Sequence, residues 1–208
     1  MNYVIILLMA SAFFLTRVTN LRTAVIVLLV QSVVVALACV VIGLEAGNSH
    51  YYLAALLTVI IKAIIIPAAL FRILRKMKRE KEVDSPMSAN LSSLAAVVAI
   101  ALAYNFMNKA LPGIISRDAL AASVALVLIG LQVIMIRRQA VLQIVGLNIM
   151  ENGLYLLGLS VTKGLPLIIE LGIFFDVLIA VGILGLLTYR LKLSYQSTDT
   201  SVLEKLKG

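Results

Sequence analysis

Apolar residues run through this chain in long blocks, and polar residues gather in short breaks between them. Seven blocks are long enough for helices: residues 2–16, 23–44, 52–71, 89–108, 119–136, 139–161 and 166–189. Neither strict alternation nor a narrow amphipathic stripe organises them. The pattern is that of helices that are apolar all round, as membrane spans are. The first block is short, about 22 Å at 1.5 Å per residue, so it thins the bilayer or extends toward Arg17. Ala10-Ser11-Ala12 fits a signal-peptide cleavage site, but Asn2 and Tyr3 do not form a basic leader, and apolar residues continue to Leu15. The expectation is therefore an all-α integral membrane protein with seven spans.

Composition agrees. Of 208 residues, 62% are hydrophobic and 13% charged, the latter about half the share of a soluble domain. Mean hydropathy is +1.08. One cysteine, Cys39, excludes an internal disulfide, an iron–sulfur cluster or a cysteine zinc site. One histidine, His50, excludes bis-histidine haem ligation within the chain. No cofactor is expected, and no catalytic centre of its own.

The net charge of +8 is distributed by side. With alternating spans, fourteen Lys and Arg fall on one side, among them Arg17, Arg22, the six between Arg72 and Lys81, Arg137 and Arg138; three fall on the other, Lys109, Arg117 and Lys163. The positive-inside bias puts the N-terminus outside and the C-terminus in the cytoplasm of a prokaryotic cell membrane. Nucleic acid is not an expected partner. The chain divides into a three-helix segment (1–71), a charged cytoplasmic loop (72–88), a fourth helix with its outer loop (89–116), a three-helix unit (117–193) and a cytoplasmic tail (194–208).

Four charges remain inside spans: Lys62, Glu151, Glu170 and Asp176. A charge at a helix centre costs about 2.5–3.5 kcal/mol even on insertion scales, so such residues face protein or water and mark ion pathways. Lys62, Glu151 and Asp176 lie roughly 15–21 Å from the cytoplasmic ends of their spans, near the midplane. Glu170 is about one turn from the outer end and can reach the interface. Asn148, Glu151 and Tyr155 are three and four residues apart and share a face. Gly146, Gly153 and Gly158 permit close helix approach, and Gly182 with Gly185 suggests the same in the last span. Gln31, Ser32, Thr58, Asn105, Asn108, Gln132 and Gln143 read as interhelical hydrogen-bond partners, Cys39 as a packing residue, and His50 as a loop residue. Pro67, five residues after Lys62, is expected to kink its helix and free the carbonyl near Ala63.

The last three spans, with the basic turn Arg137-Arg138, the glycine-rich helix with a central glutamate and a final helix with a central carboxylate, resemble the K subunit of respiratory complex I and its counterpart in multi-subunit sodium/proton antiporters. The K-subunit helix typically reads leucine, glutamate, isoleucine, methionine, any residue, asparagine. Here the stretch is Leu147-Asn148-Ile149-Met150-Glu151-Asn152. Asn148 occupies the family's glutamate position, Glu151 stands one turn later, and Asp176 matches the second family carboxylate. The full length, the four preceding helices, the basic loop and the stretch Leu165-Pro166-Leu167-Ile168-Ile169-Glu170-Leu171-Gly172 look like component E of hydrogenase-4, a longer relative of the K subunit.

The resemblance implies a non-redox membrane subunit of a group 4 nickel–iron hydrogenase or formate hydrogenlyase-type complex. Its partners would be antiporter-like pump subunits and the hydrogenase-side membrane anchor. Glu151, Asp176, Lys62, Asn148, Glu170 and Tyr155 would contribute to proton or ion translocation coupled to electron transfer. A cation/proton antiporter subunit without a hydrogenase, and a non-conducting membrane scaffold, are the alternatives.

Overall fold

The computed structural model describes residues 2–46, 49–75, 87–109 and 117–161, together with Gly182 and Gly185. The seventh predicted span, with Glu170 and Asp176, lies outside the described residues, as do most of the basic loop and the tail.

Every described element is helical. They are α1 (Asn2–Arg17), α2 (Leu21–Ala46), α3 (Ser49–Thr58), a π-helical segment (Val59–Ile65), α4 (Ile66–Leu74), α5 (Ala89–Lys109), α6 (Arg117–Ile136) and α7 (Ala140–Val161). α3, the π segment and α4 follow one another without a break, giving the third predicted span. Among the described residues, five helical stretches are long and apolar enough to cross a bilayer: Leu21–Val41, Tyr51–Leu74, Ala89–Met107, Arg117–Ile136 and Ala140–Gly158; Tyr3–Arg17 is a shorter apolar helix. The described residues are thus all-helical, as in a multi-pass membrane protein. Large apolar side chains such as Ile6, Phe106 and Met135 point out of the bundle, as a lipid-facing surface requires.

Short connections make antiparallel neighbours. α1 turns into α2 at Asn20, whose Oδ1 accepts hydrogen bonds from the backbone N–H groups of Arg22 (3.0 Å) and Thr23 (3.4 Å), capping the start of α2. Gly43 lies against the first turn of α3, where a Cβ would stand 3.1 Å from Tyr51 Cβ. α6 and α7 form the closest pair. A Cβ at Gly130 would lie 2.6 Å from the Met150 backbone nitrogen and 2.7 Å from the Gly146 carbonyl oxygen; one at Gly153 would lie 2.8 Å from the Ser123 carbonyl oxygen. The two backbones are in contact, which only glycine allows.

Several sequence expectations change. His50 sits within α3, not in a loop. Among the described residues a Cβ at Gly182 would meet nothing within 4 Å, whereas one at Gly185 would stand 3.3 Å from Ile73 Cδ1. Arg137 lies in the expected turn between α6 and α7, but it is buried. It is 4% exposed, and its guanidinium donates to the Thr16 carbonyl oxygen in the last turn of α1. That carbonyl belongs to the electronegative end of the helix, where a cation is stabilising. Among the polar span residues, Gln31 donates to Ser11 Oγ (2.9 Å) and Gln132 to the Ser92 carbonyl oxygen (2.7 Å), tying α2 to α1 and α6 to α5. Ser32 and Gln143 instead bond locally, to the carbonyl oxygens of Leu28 and Arg137, and Asn105 is exposed.

Pro67 stands in the first turn of α4, directly after the π segment, and the helix runs through it without a break; lacking an N–H, it leaves a carbonyl of the preceding turn without its helical donor. The distortion is taken up before it, in seven residues of π-helix. A π-helical turn fits an extra residue into the helix and rotates the side chains that follow. Lys62 is at the centre of this segment.

Candidate functional site

Lys62 is 1% exposed. It is the largest fully buried side chain described, held in the bundle by an irregular stretch of helix. Its Nζ donates to Asn152 Oδ1 of α7 at 2.8 Å and lies 3.1 Å from Glu151 Oε1. The directed hydrogen bond goes to the asparagine. The contact with Glu151 is an ion pair by distance, and neither carboxylate oxygen has a well-aligned hydrogen-bond donor among the described residues. Glu151 and Asn152 are both 2% exposed.

This pair spans two helices far apart in sequence, and charge energetics explain why both partners are needed. Taking an ion out of water costs several kcal/mol in a real protein, and the attraction between two such ions offsets this only when the remaining hydrogen-bonding positions are filled. At Glu151 they are not. One turn away on α7, Asn148 is 1% exposed; its amide reaches back only to the Ile144 carbonyl oxygen, at 3.4 Å, and its Oδ1 has no donor among the described residues. Thr58, four residues before Lys62, is also fully buried, with its Oγ1 unpartnered among the described residues. Buried acceptors without donors are uncommon in folded proteins. Of these, the Glu151 carboxylate is the one seen beside the ammonium group, 3.1 Å from Lys62 Nζ.

Tyr155 continues the polar line away from Lys62. Its hydroxyl is 2.8 Å from Cys39 Sγ of α2, and the Cys39 thiol also contacts the Val35 carbonyl oxygen at 3.1 Å. Space of about 10 Å³, the size of one water molecule, lies against Asn152 and Tyr155 and is walled by Val4, Leu8, Val35 and Ala38.

The structure therefore brings together Lys62 and Glu151, with Asn148 and Tyr155 on the same stretch of α7. Sequence reasoning missed Asn152 and Cys39. Asn152 was open to discovery: it is four residues after Asn148 and three before Tyr155, so it shares their side of the helix. Nothing in the local sequence marks Cys39. No group of three or more His, Cys, Asp or Glu side chains among the described residues could hold a metal ion.

No family model matches the chain, and no solved structure matches it. Among curated proteins, an uncharacterized protein of Mycobacterium tuberculosis is 28% identical over 205 residues, covering 97% of this chain and 92% of that protein. Hydrogenase-4 component E of Escherichia coli K12 and that of Shigella flexneri are each 29% identical over 153 residues, covering 72% of this chain and 70% of theirs. The similarity to component E is distant.

Proposed function

We propose that this chain is a non-redox membrane subunit of a complex-I-like assembly of the hydrogenase-4 type, and that Lys62 and Glu151 form part of an ion path through it. The observation that carries this reading is the buried Lys62–Glu151 pair, its lysine seated on a π-helical segment and its carboxylate oxygens without a directed hydrogen-bond donor among the described residues. A scaffold gains nothing from such an arrangement, because apolar side chains of similar volume would often be neutral or stabilising there. An ion path does: a carboxylate with open acceptor positions can take a proton, and a lysine with two acceptors in reach can shift its weight between them. Asp176 and Glu170 would extend the path on the seventh span. The distant similarity to hydrogenase-4 component E, over most of both chains, supports the hydrogenase-type reading over an antiporter without a redox partner.

Affinity purification of the tagged chain from its native membranes tests the assembly. Nickel–iron hydrogenase subunits together with antiporter-like membrane subunits are expected in the eluate. Recovery of antiporter-type subunits with no hydrogenase subunit would turn the assignment to the second class.

The orientation proposed is N-terminus outside and C-terminus cytoplasmic, with the loop after Arg72 inside. The lone native cysteine, Cys39, is buried, so single cysteines can be introduced against a quiet background. Ser88→Cys should resist a membrane-impermeant thiol reagent in whole cells and react in inverted vesicles. Labelling in whole cells would reverse the topology.

A further inference from the structure

A second site lies at the membrane boundary, away from the Lys62–Glu151 pair. α2 and the α3–α4 span run antiparallel, so the first turn of α2 meets the last turn of α4. Between them is a cavity of about 700 Å³, within the roughly 300–1,000 Å³ of pockets that hold small molecules. Arg22, Arg72 and Arg75 line it, together with apolar walls from Ile26, Ala68 and Phe71. All three arginines are exposed.

Two features define what fits. Guanidinium groups bind phosphate oxygens bidentately and keep their charge at any physiological pH. Three of them around one cavity select an anion bearing several acceptor oxygens. The apolar walls belong to stretches long enough to span the bilayer, so the cavity opens where lipid headgroups lie. A soluble phosphate would use the guanidinium groups and leave Ile26, Ala68 and Phe71 idle; a phospholipid uses both.

We propose that the cleft between α2 and α4 is a specific seat for an anionic phospholipid, its phosphate held by Arg22, Arg72 and Arg75 and its glycerol and upper acyl carbons against Ile26, Ala68 and Phe71. The occupant anchors the α2–α4 hairpin at its charged end. This rests on the cleft alone and stands or falls independently of any ion path.

The test is native mass spectrometry and thermal melting of the full-length protein in mild detergent, delipidated and then titrated separately with phosphatidylglycerol, phosphatidylcholine and inorganic phosphate. Phosphatidylglycerol is expected to bind as a discrete adduct and raise the melting temperature, with phosphatidylcholine much weaker. The double variant Arg72→Gln/Arg75→Gln should weaken phosphatidylglycerol binding by roughly thirtyfold, from about fivefold per basic group near a membrane surface. Arg72→Lys/Arg75→Lys should restore part of it, since charge returns without the bidentate fork. Both positions are exposed, and unchanged melting of the lipid-free double variant will verify its folding. Equal binding of phosphatidylcholine, binding unaffected by the glutamine variant, or displacement of the lipid by millimolar inorganic phosphate would each overturn the proposal, the last in favour of a soluble phosphate ligand.

Discussion

Glu151→Gln is expected to yield a complex that assembles normally and translocates ions more than about tenfold more slowly, a conservative floor for losing a positioned proton-transfer group. Glutamine keeps the shape of the side chain and one acceptor oxygen for Lys62, but it cannot take up and release a proton. A purely structural Glu151 would tolerate the swap, because a neutral amide is cheaper to bury than a carboxylate. The measurement is proton uptake by vesicles carrying the intact complex, run beside a quantitative assembly assay. Wild-type pumping by the assembled variant would remove Glu151 from the path.

The lysine side separates structure from transport. Lys62→Met strands Glu151 with no cation at its 3.1 Å position, and breaking a buried pair on one side costs about 3–5 kcal/mol. Assembly should fall. Lys62→Met combined with Glu151→Leu removes both charges and should recover assembly while transport stays lost. Asn148 allows a finer test. It is fully buried one turn before Glu151, with an acceptor unpartnered among the described residues. Asn148→Glu in the Glu151→Gln background moves the carboxyl by roughly 5 Å along the same helix, and should return part of the pumping if Lys62 can follow it.

What could be read before the fold was known divides along physical lines. Transfer free energy acts locally, so the apolar blocks located α2, α5, α6 and α7 to within a few residues, and counting rises along each helix led to the expectation of a common depth for Lys62 and Glu151. Contact between them did not follow. Depth fixes a residue's height in the bilayer but not the rotation of its helix, and rotation is set by packing against neighbours. The glycines of α7 carried part of that information, since Gly146 and Gly153 face α6 and thereby turn Glu151 and Asn152 toward other neighbours. The π segment was hidden because Pro67 announces a disturbance without saying how the chain will absorb it. Arg137 was legible as a residue of the basic turn before α7, but its contact was not: counting charges along the chain carries no sign that its guanidinium reaches the end of α1. Asp176 and Glu170 lie outside the described residues, and their place in the proposed path rests on the resemblance.

The α6–α7 contact should be the least forgiving part of the bundle. Gly130→Ala places a Cβ 2.6 Å from the Met150 nitrogen and 2.7 Å from the Gly146 carbonyl oxygen. Both neighbours are backbone, so no rotamer change relieves the clash, and the helices must separate. Overpacking a tight interior typically costs about 1–3 kcal/mol, and the upper end is expected where the obstacle is main chain. The displaced atom is one residue from Glu151, so separation also moves the carboxylate relative to Lys62, whose π-helical support belongs to a different part of the bundle. Gly130→Ala should therefore lower the melting temperature of the purified protein and reduce ion translocation in whatever complex still assembles. Gly182→Ala, with nothing among the described residues within 4 Å of its new Cβ, is the matched control and should stay within about 0.5 kcal/mol of wild type, as surface substitutions do. Equal stability of the two variants would mean that α6 and α7 are not in backbone contact, and the positioning of Glu151 by that contact would have to be abandoned.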